Sequence, residues 1–277
     1  MYNDGSLYFR AIELSSKQFP CGFYYFQEDF REFRGQPPCP ECVIVHNNYM
    51  GSIAAKKYRF QENSLWMVDT DGYYSSTDAK YLTYSNPLSL GEHTYSVEIH
   101  SLKSALVLGV LLNRIVVLPK FHCCNCKTRK CYQGNYRCSL LHLIKLKTFD
   151  TAFSGKYREA SFFSNPLVPV STVSEHNTTR VFIAPEKYLP NVNATLVMSA
   201  AKKYKSTRVY KERSVSQKYQ LKSWLSRFDS SAVLHIDSLY FDVNRLLNIQ
   251  PLDSYDRFSS QIFQCTEYEQ WEVKPFI

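Results

Sequence analysis

SLKSALVLGVLLNRIVVLP, residues Ser101–Pro119, carries two periodicities in succession. Leu102, Ala105, Leu106, Gly109 and Leu112 recur at helical spacing. Asn113-Arg114 ends that pattern, and Ile115-Val116-Val117-Leu118 follows as an uninterrupted apolar, β-branched run closed by Pro119. A helix feeding directly into a buried strand is an α/β unit with a parallel sheet behind it.

The same style continues toward the C-terminus. Val181-Phe182-Ile183 and Val233-Leu234-His235-Ile236 read as buried strands. Val215–Phe228 and Ser238–Leu247 read as helices. Tyr157-Arg158-Glu159 and Pro166–Pro169 read as loop. On the amino-terminal side the chain between Asp71 and Glu92 is polar and turn-rich, with Ser75-Ser76-Thr77-Asp78 and Ser85-Asn86-Pro87. The expected domain boundary falls there, giving units of residues 1–85 and 86–277.

The first unit centres on VIVHNNYMGSIAAKK, Val43–Lys57. Cys42–Val45 reads as a buried strand entered from Pro37, Pro38 and Pro40, and Ser52–Tyr58 as a short helix. Leu65–Val68 is a second strand candidate, ending at the Asp69-Thr70-Asp71-Gly72 turn. A neutral imidazole at the end of a strand is placed to ligate a metal, which makes His46 a candidate. Asn47 and Asn48 would orient it or bind ligand hydroxyls. The helix start after Gly51, with Lys56, Lys57 or Arg59, would meet a diphosphate. The competing account is a turn whose Asn side chains satisfy local backbone groups.

Composition narrows the field. The 277 residues are 44% hydrophobic with only 9 Gly, which is globular rather than disordered. The net charge of +8, from 33 basic and 25 acidic side chains, suits anionic ligands without selecting one. No apolar run approaches the roughly 18–20 residues of a membrane span. The opening MYNDGSLYFR has no basic region backed by an apolar core, so it does not read as a signal peptide. Yet nine cysteines and the acceptor sequences at Asn177 and Asn193 fit a lumenal or extracellular setting.

Five of the cysteines crowd together: Cys123, Cys124, Cys126, Cys131 and Cys138. Disulfides are favoured over zinc, because no Cys-x2-Cys pair is repeated at the proper distance. Five is odd, which leaves one over for a distant partner, with Cys265 a candidate. His122 beside the cluster is read as packing against the loop. Lys202–Arg213, KKYKSTRVYKER, interleaves basic and aromatic residues, but no nucleic-acid module accompanies it, and no nucleic-acid partner is expected. His235 and Asp237 are either an acid/base pair or a simple exposed pair.

CVIVHNNYMGSIAAKKYRFQENSLWMVDTDGYY resembles the end of the nucleotide-diphospho-sugar transferase domain, the family of plant arabinosyl- and xylosyltransferases and their animal relatives. Ser101–Pro119 is similar to the first helix-strand unit of protein O-fucosyltransferase-like domains. The resemblance implies the C-terminal piece of a GT-A-like domain followed by a GT-B or Rossmann-like α/β domain. It implies transfer of a sugar from a nucleotide-sugar donor to a glycan or protein acceptor. His46 would be a ligand to a divalent metal, Mn or Mg, on the donor diphosphate, in the Golgi or ER lumen. Two departures bear on activity. No Asp-x-Asp lies upstream of residue 43, and Thr94-Tyr95-Ser96 stands where a Gly-rich loop is expected. The expectation is therefore a truncated chain, inactive alone, whose intact form carries any membrane anchor upstream. The alternative is a non-catalytic lumenal module that binds glycan or protein.

Overall fold

The computed structural model describes residues 13–22, 25–26, 39–48, 52–86, 94–124, 131, 137–184, 188–189, 192–203, 209–211, 220–241 and 243. In chain order the elements are α1 (Ile53–Glu62), β1 (Tyr81–Tyr84), α2 (Tyr95–Leu111), β2 (Ile115–Val117), β3 (Phe121–His122), β4 (Arg137–Cys138), α3 (Leu146–Phe153), β5 (Tyr157–Arg158), α4 (Val170–Val173), β6 (Thr178–Ala184), α5 (Ala194–Lys203), β7 (Val209–Lys211), α6 (Gln220–Ser226) and β8 (Val233–Ile236).

Six of these strands form one sheet in the order β5-β2-β1-β8-β6-β7, and every pairing is parallel. The chain winds outward from β1 through β2 to β5. It then crosses to β6 and β7 on the other side, and β8 returns to fill the gap between β1 and β6. The winding direction therefore reverses between β1 and β8. β3 and β4 form a separate antiparallel pair. The α/β class expected from the sequence is what the protein adopts. β1 lies on the amino-terminal side of residue 86, yet it pairs with β2 and β8, so the sheet runs across the expected boundary.

Side-chain alternation sorts the sheet into two faces. Leu82, Tyr84, Val116, Val181, Ile183, Leu234 and Ile236 belong to the main core, together with Leu102, Ala105 and Leu106 of α2. α2 is apolar nearly all round, as a helix enclosed by protein must be. Thr94 caps its first turn, accepting from Val97 N at 3.3 Å. Two of its serines hold the chain after β8: Ser101 Oγ donates to Leu239 O at 2.9 Å and Ser104 Oγ to Phe241 O at 3.1 Å. Gly109 is where α2 meets β2. A Cβ there would stand 2.6 Å from Val116 Cγ2 and 2.9 Å from Arg114 O.

Asn113 takes the left-handed conformation, φ 50°, beyond the C-cap Leu112, and Arg114 N donates back to Gly109 O at 2.8 Å. The buried Arg114 guanidinium then donates to Tyr81 O at 3.2 Å, Phe228 O at 2.8 Å and Ser231 O at 2.9 Å. Burial holds its pKa below the usual value, opposed by the Asp229 charge.

On the opposite face, Tyr81, Val117 and Val233 are covered by Tyr74, Phe162 and Val168. Glu159, at the end of β5, is 1% exposed and accepts from Tyr73 Oη at 2.7 Å and Tyr74 Oη at 2.9 Å. These bonds tie the segment after α1 to the sheet. Burial raises the pKa of both tyrosines well above the usual value, and the Glu159 charge adds to the effect.

Four expectations are corrected. Cys42–Val45 is an extended segment rather than a buried strand, with Val43 65% and Ile44 60% exposed. Its backbone pairs with the preceding segment, through Val43 N to Gln18 O at 2.7 Å, but no sheet covers its side chains. Leu65–Val68 is irregular, with Met67 and Val68 exposed, because the chain turns there into the Tyr73-Tyr74 contacts instead of joining a ladder. Tyr157-Arg158-Glu159 is not a loop: β5 forms the sheet edge against β2. Ser238–Phe241 is irregular, and most of the helix expected to follow lies outside the described residues.

Candidate functional site

The His46 turn is held by its asparagines. His46 N donates to Pro20 O at 3.0 Å, and a parallel bridge joins His46 to Cys21. Asn48 Oδ1 accepts from Gly22 N at 2.6 Å, and a Cβ on Gly22 would lie 2.7 Å from Asn48 O, so the two segments approach as only glycine allows. Asn47, 7% exposed, donates through Nδ2 to Lys56 O at 2.8 Å. Ser52 caps α1, accepting from Ala55 N at 3.1 Å.

The cations on α1 divide. Arg59 is 1% exposed, stacks 4.7 Å from the Phe26 ring, and lies 3.5 Å from Asn48 O through Nη1. Lys57 sits 5.6 Å from the Trp66 ring and 5.5 Å from the Tyr73 ring. His46 and Lys56 are exposed. The structure thus gathers His46, Asn47, Asn48, Lys56, Lys57 and Arg59 on one turn-helix unit, but most of their polar groups meet protein. Gly51 lies outside the described residues.

Asp69, of the Asp-x-Asp pair, caps its own turn, accepting from Tyr74 N at 2.8 Å and Ser75 N at 3.3 Å. The Ser75 side chain, then the Tyr74 amide, hold its carboxyl below the usual range. Asp71 occupies a left-handed turn position, φ 55°. Among the described residues no group of three or more His, Cys, Asp or Glu side chains is placed to hold a metal ion. The described residues offer the expected metal one ligand, His46, and do not by themselves compose a site for it.

The cysteines form disulfides: Cys123–Cys138, Cys124–Cys131 and Cys39–Cys42. The first two close the β3–β4 hairpin. The third is a Cys-x-x-Cys loop that was not singled out in the sequence, although its spacing is a recognised redox signature. Cys126 and Cys265 lie outside the described residues, and Cys21 is a free thiol. His122 does more than pack against the hairpin: its Nδ1 pairs with Glu98 of α2, both side chains being buried.

The second cluster stands where β1 and β8 end, at the point where the winding reverses. In parallel α/β sheets such reversals open a crevice beyond the carboxyl ends of the strands. Thr83 of β1, His235 of β8 and Arg180 of β6 are in register across three strands. Thr83 Oγ1 is 2.7 Å from His235 Nδ1, and Ser85 Oγ is 3.3 Å from His235 Nε2. Ser85 Oγ also donates to Asp237 O at 2.9 Å. Arg180 Nη2 donates to Asp237 Oδ1 at 2.5 Å, and that oxygen is 3.5 Å from His235 Nε2. The Asp237 side chain is 3% exposed and that of Arg180 51%, so a buried carboxylate holds a cation at the surface.

His235 and Asp237 are therefore not a simple exposed pair. Their partners Thr83, Ser85 and Arg180 escaped the sequence, whose one signal was the period-two spacing of His235 and Asp237. Beside them, Asn86 accepts from Leu239 N at 2.9 Å through Oδ1, while its buried Nδ2 and the buried Ser238 Oγ have no hydrogen-bond partner among the described residues. Of the glycosylation candidates, Asn177 is exposed and donates through Nδ2 to Ser171 O at 2.7 Å. Asn193 is exposed and caps α5, accepting from Leu196 N at 3.1 Å. Comparison of the chain with protein-family models, curated proteins and solved structures returned no match.

Proposed function

We propose that this chain is part of a nucleotide-sugar-dependent glycosyltransferase, and that the parallel sheet binds the sugar-bearing ligand at the β1/β8 reversal. In the intact protein the reaction moves a glycosyl group from a nucleotide-sugar to a hydroxyl of a glycan or protein, in the lumen of the Golgi or ER. The observation that carries the proposal is the hydrogen-bonded set Thr83, Ser85, Arg180, His235 and Asp237 at the strand ends where a doubly wound sheet takes its ligands. The resemblance of Val43–Lys57 and Ser101–Pro119 to two glycosyltransferase families, and the disulfides, which fit an oxidising compartment, support it.

One observation favours a second proposal, a non-catalytic binding module. Asn47, expected to orient His46 or bind donor hydroxyls, and Arg59, expected to offset the diphosphate charge, are buried in contacts with the protein. The test uses the full-length protein and a panel of uridine- and guanosine-diphosphate sugars. Binding is followed by ligand-observed NMR, and release of nucleoside diphosphate is followed with and without manganese and a glycan acceptor. Release with turnover supports the enzyme. Binding of the panel without release supports the module. No binding of any nucleotide-sugar or glycan at millimolar concentration removes both.

A further inference from the structure

The cluster at the β1/β8 strand ends has a charge balance that distinguishes between the parts of a nucleotide-sugar. Among the described residues Arg180 carries the cation there, and Asp237 offsets it at 2.5 Å from a nearly buried position. A phosphate dianion brought to Arg180 would meet the Asp237 carboxylate as well. A neutral polyol meets no such penalty. Each sugar hydroxyl both donates and accepts, and adjacent hydroxyls are best held by a fixed acceptor next to a fixed donor. Asp237 is that acceptor and Arg180 that donor. His235 and the hydroxyls of Thr83 and Ser85 can take either role according to the ring tautomer.

We infer that the carboxyl ends of β1 and β8 form a subsite for the vicinal hydroxyls of a sugar ring, with Asp237 and Arg180 as the central acceptor–donor pair. This rests on the proposed glycosyltransferase function and specifies which part of the ligand the site takes. The diphosphate is held elsewhere.

Saturation-transfer NMR on the whole chain tests the subsite, using methyl glycosides of common hexoses and pentoses, pyrophosphate and nucleoside diphosphates as separate probes. A methyl glycoside is expected to bind wild-type protein in the millimolar range, about tenfold more weakly in Arg180→Gln, and more weakly in Ser85→Ala. Nucleoside diphosphate binding should be unchanged in both variants. Arg180 is half-exposed, so Arg180→Gln is expected to fold, and circular dichroism and the melting temperature verify this. Ser85→Ala supplies an independent variant. Loss of pyrophosphate binding in Arg180→Gln would overturn the inference in favour of a phosphate site. So would nucleotide-sugar binding that neither variant alters, which leaves the broader function standing. Failure of every nucleotide-sugar and every glycoside to bind removes the broader function and the subsite together.

Discussion

Arg114 Nη2 donates to the carbonyl of Phe228 at 2.8 Å, across 114 residues of sequence. The same guanidinium reaches Tyr81 O and Ser231 O, so one buried side chain joins the start of β1 to the segment entering β8. Arg114→Met removes every guanidinium bond to the Tyr81, Phe228 and Ser231 carbonyls, of which Phe228 O keeps its bond from Ser231 N. It is expected to cost about 3 kcal/mol, read as a lower denaturation midpoint in urea. Arg114→Lys should recover only part, because an ammonium cannot span the same three carbonyls. A loss below about 0.5 kcal/mol in the Met variant would show that water replaces the guanidinium.

Gly109 lies too close to β2 for any side chain. Gly109→Ala improves helix propensity, yet its Cβ would fall 2.6 Å from Val116 Cγ2. The clash should win, for a net destabilisation of about 1–3 kcal/mol. The pair Gly109→Ala with Val116→Ala should recover only part of it in thermal melts, because Arg114 O stays 2.9 Å from the new Cβ.

Tyr73 and Tyr74 must keep their protons to donate to Glu159. Their pKa values are raised in the folded protein, so their contribution is complete below about pH 10, the ordinary tyrosine value, and is lost as pH rises above it. Stability measured from pH 8 to pH 11.5 should fall at the alkaline end. Tyr74→Phe should be less stable by about 1–2 kcal/mol at pH 8 and show a shallower alkaline fall. An unchanged slope would exclude Tyr74 as a source of it.

The three disulfides should differ in access. Cys123 and Cys138 are buried at 4% and 7% exposure, whereas Cys39 and Cys42 are partly exposed and close a loop of only four residues. Short loops constrain the unfolded chain least. Under graded dithiothreitol without denaturant, alkylation and peptide mapping should find Cys39 and Cys42 labelled first and Cys123 and Cys138 last. The reverse order is incompatible with reduction governed by access.

Much of the α/β framework was legible. The helical spacing of Leu102–Leu112 and the apolar runs at Ile115, Val181 and Val233 gave α2, β2, β6 and β8, because a strand buried on both faces needs such runs. β5 was missed because only Tyr157 and Arg158 pair, and an arginine stacked 4.0 Å from the Tyr73 ring can stand where a sequence pattern asks for valine. Cys42–Val45 misled for the opposite reason: its composition is that of a core strand, but only its backbone is engaged. The strand-end cluster depends on which strands become neighbours. Thr83 and His235 are 152 residues apart, and no local pattern announces that β8 lies beside β1 rather than beyond β7.

That placement of β8 bears on how the protein is made. Until Val233–Ile236 leave the ribosome, β1 and β6 each present an unpaired edge. The 148 residues from 85 to 232 separate the first sheet strand from the one that covers it. Such long-range closure is slow, and open strand edges are adhesive while they wait. A stop codon before residue 233 would yield a sheet split into two halves, each open at the edge the missing strand should have filled.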